Sequence, residues 1–161
     1  MNMKKTKVGL VMLIEIISLA LALLLMTGIL GDMGILIRLL DMPSLLVLLL
    51  LALPALFANG LAGDFARLFR KNKDRKESLG DLKRSLLAVE LLQKQFIYAG
   101  LVIIAFEIVY VLSQLSEPEI LGSNLAVVTI IAFYTGILEL LLMPLKVAVE
   151  KRITEYMEED A

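Results

Sequence analysis

Four long apolar runs punctuate this chain, roughly Val8 to Leu30, Pro43 to Ala62, Phe96 to Leu115 and Leu125 to Leu145. Each is about 20 residues, the length a helix needs to cross a hydrocarbon core of about 30 Å. The pattern predicts an all-α, polytopic membrane protein with four transmembrane helices, a single membrane domain over residues 1–161. A soluble fold would have to hide 59% hydrophobic residues in 161, whereas a domain of that length buries only about 70% of the surface its unfolded chain exposes. Lys4, Lys5 and Lys7 precede the first run as in a signal peptide. That run exceeds the roughly 7 to 15 residues of a signal h-region, so a retained helix is expected.

Between and beyond the spans lie two short connections, a longer one at about 63–93 and a tail at 146–161. Of the 16 basic residues, only Arg38 falls in the first or third connection. The others sit in the N-terminal tail, through the second connection from Arg67 to Arg84 with Lys94 at the next helix start, and at Lys146, Lys151 and Arg152. Because Lys and Arg near helix ends stay cytoplasmic, both termini are expected in the cytoplasm and the chain in the cell (inner) membrane. From Leu79 the pattern is helical again, with Leu82, Leu86, Val89 and Leu92 at three- and four-residue steps. A cytoplasmic helix running on into the third span is predicted, so that the third helix extends into the cytoplasm. The basic stretch before it, with Arg70, Lys71, Lys73, Arg75 and Lys76, reads either as a topology determinant or as a patch for anionic lipid headgroups.

Without cysteine or histidine the chain has no thiolate or imidazole to ligate a metal. No phosphate loop or nucleophile–base set appears either, so no enzymatic activity, cofactor or nucleic-acid partner is expected. Any proton chemistry must run on carboxylates or water. Glu15, Glu107 and Glu139 lie inside the spans, where ionisable residues are costly and mark functional sites by default. Glu15 falls in the inner leaflet, where water reach explains it as well as function does. Glu107 falls near the middle of the third span, with Tyr110 and Gln114 on the same helical face. In the fourth span Thr129, Ala132, Gly136 and Glu139 form a small, polar face. Ala132 and Gly136 read as helix packing, whereas Glu139 is more than packing requires.

Three stretches resemble the membrane core of the MotA/TolQ/ExbB superfamily, nearest its motility protein A branch. They are Gly28–Gly34 with Asp41-Met-Pro43-Ser44-Leu-Leu46; Leu91–Gly100 running to Leu112–Gly122; and Leu125–Val127 through Tyr134 and Gly136 to Met143-Pro144-Leu145. The resemblance implies a homopentamer around a pore lined by the third and fourth helices, holding a pair of single-span B-type subunits, with ion passage driving rotation. It also implies that the fourth helix exits at Pro144-Leu145. The chain departs from that family in its short second connection and in having Ile130-Ile131 where a Thr pair is common, which displaces the hydroxyls to Thr129 and Thr135. Glu107 and Glu139 are then expected at the pore or at a subunit interface. The alternatives are a small proton-coupled secondary transporter using Glu15, and a non-conducting membrane scaffold whose basic connection and acidic tail recruit partners.

Overall fold

The computed structural model describes residues 8–31, 34–69, 78–116 and 118–159. The expected lipid-headgroup residues Arg70, Lys71, Lys73, Arg75 and Lys76 lie outside these, as do Lys4, Lys5 and Lys7. Six helices follow one another: α1 (Val8–Leu30), α2 (Gly34–Arg38), α3 (Met42–Ala58), α4 (Ala62–Arg67), α5 (Leu79–Ser113) and α6 (Pro118–Glu159). Among the described residues there is no strand. α1, α5 and α6 are long and apolar enough to cross a membrane, as expected of an all-α membrane protein. α3, at 17 residues, is shorter.

The second apolar run ends earlier than its composition suggests because Asn59-Gly60 terminates the helix. Gly60 takes a left-handed φ of 65°, Leu61 N–H donates to the Leu56 carbonyl at 3.0 Å and Gly60 N–H to that of Phe57 at 3.0 Å. This is the paired-bond C-cap that a left-handed glycine permits, and Leu61 is buried behind it. α4 then turns away as a separate short helix.

α5 and α6 form an antiparallel hairpin that organises everything else. At 1.5 Å per residue they extend roughly 52 and 63 Å, far beyond the about 30 Å of a hydrocarbon core. Their membrane portions therefore continue as a two-helix stalk. α5 starts at a reciprocal cap, in which Asp81 N–H donates to Ser78 Oγ at 3.1 Å and Ser78 N–H to Asp81 Oδ2 at 3.4 Å. Its buried positions Leu82, Ser85, Val89, Leu92, Phe96, Ala99 and Ile103 alternate at three- and four-residue steps, the spacing that keeps one seam facing a partner helix. Leu142, Leu145, Val149 and Ile153 of α6 are buried in the same cluster.

This seam explains why the α6 helix continues through Pro144. Proline removes one backbone bond in a helix interior, but Leu142 and Leu145 on either side of it are buried in the core and hold the helix on course. The tail expected from residue 146 is helical to Glu159. α3 lies along α5 through the stripe Ser44, Leu48, Ala52 and Leu56, all buried at four-residue steps. α1 packs on α6 with Val8 buried in the same core and Met12 against it. Thr27 is buried too and satisfies its hydroxyl on the Leu24 carbonyl at 2.9 Å.

Candidate functional site

The hairpin's register fixes the height of each carboxylate. Gly100 of α5 meets Thr135 of α6 so closely that a Cβ on Gly100 would overlap the Thr135 side chain. Further down, the Gln93 side chain hydrogen-bonds Glu139, and Lys146 Nζ lies 2.9 Å from Glu90 Oε1. These pairs place Glu139 beside the start of the third apolar run. Glu107 lies beyond Gly100 in the other direction, about 14 residues from Gln93, or roughly 20 Å along α5. The two carboxylates are at different depths and do not share a site.

Glu139 sits on a groove of about 330 Å³ between α5 and α6, lined by Glu90, Gln93, Lys94, Ile97, Glu139 and Lys146. Its Oε1 is enclosed and has no hydrogen-bond partner. Lys146, by contrast, is well occupied, with Glu90 at 2.9 Å and Glu150 at 3.8 Å. The hydrogen bond to Glu90, reinforced by its charge, holds the Lys146 ammonium above the ordinary lysine value of 10.5. Of the groove residues, Glu90 and Gln93 carry no sequence signal as a site, because both read as polar positions of an amphipathic helix. Only their fall opposite Lys146 and Glu139, visible once the hairpin closes, brings them together.

Glu107 is half-buried, and Tyr110 is 45% exposed. Among the described residues neither side chain has a hydrogen-bond partner. Asn124 of α6, at a comparable height, also has an enclosed Nδ2 with no partner. Gln114 caps the end of α5 through its backbone N–H to the Val111 carbonyl. The half of the hairpin beyond Gly100 thus carries polar groups that its own chain leaves unsatisfied, and hydrocarbon offers them no partner.

Thr129 is exposed and donates to the Leu125 carbonyl at 3.0 Å. Thr135 donates to Ile131 at 2.9 Å and faces Gly100, so it lies in the α5–α6 contact and not on an open face. Ala132 and Gly136 are exposed, and a Cβ on Gly136 would meet nothing within 4 Å. Inside one chain the close seam is Gly100 on Thr135, while the small face of α6 points outward. Glu15 is half-buried on α1 and is not brought to either polar region.

At the foot of the bundle Asp64, its side chain only 4% exposed, holds two guanidiniums: Arg67 Nη1 at 2.9 Å and Arg84 Nε at 3.0 Å. Ser85 Oγ donates to the Asp64 carbonyl at 3.0 Å, and Arg67 reaches on to Asp81 at 3.0 Å. This node ties α4 to the start of α5. Its residues look like ordinary loop charges until the fold closes over Asp64. Among the described residues no group of three acidic side chains could hold a metal ion. No family model, curated protein or solved structure matches the chain.

Proposed function

We propose that the chain is a membrane subunit of an ion-driven, motor-like or energy-transducing complex, a minimal relative of the MotA/TolQ/ExbB proteins. It assembles as a homopentameric ring around a central pore in the cell membrane. Its termini and the α5–α6 stalk lie in the cytoplasm, on the side that carries nearly all the basic residues. α3 is the fourth span, and its 17 residues reach roughly 25 Å, the lower limit for crossing.

The observation that carries this reading is the outward face of α6. Gly122, Ala126, Thr129, Ala132 and Gly136 share that face and all are exposed. Small residues on a membrane helix permit close approach of another helix, and here no helix of the same chain takes that place. The unpartnered Glu107 and Asn124 at the outer end of the hairpin call for the same neighbour or for pore water. The ring supplies both, with α5 and α6 toward the pore and a pair of single-span B-type subunits inside it.

Native mass spectrometry of the detergent-purified protein tests the proposal. Five copies are expected. A dimer would overturn it and direct attention to Glu15 and a transport cavity.

A further inference from the structure

Glu139 combines three features that no packing role requires. It lines an open groove, one of its oxygens is enclosed without a donor, and its side-chain partner is the uncharged Gln93. The cations nearby do not neutralise it. Lys146 is engaged by Glu90 and Glu150, and Lys94, also on the groove, is exposed and makes no ion pair among the described residues. An enclosed carboxylate oxygen without a donor is strongly disfavoured as a charge, while the open side of the groove gives water access to the same group.

We propose that this groove is where Glu139 exchanges a proton with water on the stalk side of the membrane. In the step, the O–H bond of the neutral Glu139 carboxyl breaks and its proton passes to a water molecule in the groove, leaving the carboxylate hydrogen-bonded to Gln93. The reverse step returns the proton from hydronium. The groups facing the site are Glu90, Gln93 and Lys94 from α5 and Lys146 from α6. A metal cation fits poorly, since it would share the groove with two ammonium groups and find few oxygens free to ligate it.

The inference deepens the ion-driven reading and rests on it for its purpose, but its test is independent of subunit count. The full-length protein is reconstituted in sealed vesicles of known orientation, and the pH on each side is set separately. Dicyclohexylcarbodiimide, which reacts with protonated carboxyls in apolar surroundings, is added and the adducts are mapped by mass spectrometry. The expected result is an adduct on Glu139 when the stalk side is acidic and loss of that adduct when the stalk side is alkaline, whatever the pH opposite. Glu139→Gln should remove this adduct alone. Labelling that follows the opposite side, ignores pH on both sides, or never reaches Glu139 would overturn the proposal. A dimer in the mass spectrum together with stalk-side labelling would discard the ring and leave the proton site standing.

Discussion

Tyr134, in the middle of α6, fastens the junction between α2 and α3 through a single hydroxyl. Its Oη accepts from Asp41 N–H at 2.7 Å and donates to the Leu39 carbonyl at 2.5 Å. The junction therefore rests roughly 24 Å along α6 from Pro118, beside the helix and not at its start. Two backbone groups that no helix satisfies find their partner in one side chain, as the cost of burying unpaired peptide groups requires.

Tyr134→Phe keeps the ring and deletes the hydroxyl. Leaving both backbone groups unsatisfied at a half-buried site should cost about 1–3 kcal/mol. A thermal unfolding series in detergent reads this as a lowered midpoint. An unchanged midpoint would mean that the junction is held by other contacts.

Gly100 and Gly136 separate folding from assembly. Gly100→Val forces a side chain into Thr135 and should destabilise the single chain by about 1–3 kcal/mol, with part of the loss restored by adding Thr135→Ala. Gly136→Leu meets nothing within its own chain. It should leave the melting of the isolated subunit unchanged while converting the ring to smaller species in native mass spectrometry. A variant at Gly136 that melts early but assembles normally would place its face inside the protomer after all.

The long apolar helices α1, α5 and α6 are legible in the sequence for one physical reason, that length and periodicity of apolar residues are local properties. The helical steps from Leu82 to Leu92 predict the start of α5 without any knowledge of its partner. What the pattern misses depends on contacts made far along the chain. Asn59-Gly60 ends α3 by backbone geometry inside an otherwise apolar run, and the α6 helix continues through Pro144 because Leu142 and Leu145 are packed in the hairpin seam. Glu107 and Glu139 stand out as intramembrane carboxylates, yet their separation in depth follows only from the α5–α6 register. Gln93, Glu90 and Asp64 carry no local signal at all.

Asp64 should be the most sensitive charge at the foot of the bundle. Asp64→Ala removes the shared acceptor of two guanidiniums, and charge-assisted bonds to a buried group are each worth about 1.5–3 kcal/mol. Because Arg67 and Arg84 are themselves 48% and 61% exposed and can turn to water, the net loss should be about 2 kcal/mol. Arg67→Ala, which leaves Arg84 in place, should cost less than about 1 kcal/mol. Thermal midpoints of the two variants give the order. Equal losses would show that Arg67 alone carries the node and that Arg84 adds nothing to it.

The Glu90–Lys146 pair predicts a pH dependence at the alkaline end. Lys146 has its folded value raised above 10.5 by the Glu90 hydrogen bond and charge. A raised lysine contributes stability that is fully present below its unfolded value and disappears as pH climbs through the folded one. Glu90→Gln should therefore melt earlier than the parent at neutral pH, and the difference should shrink as the pH climbs past about 10.5 and through the raised folded value, above which Lys146 is neutral in both proteins. Melting curves of parent and variant across that range measure it directly. A difference that persists unchanged at high pH would mean that Glu90 supports the stalk by packing its methylenes, with the ion pair contributing nothing.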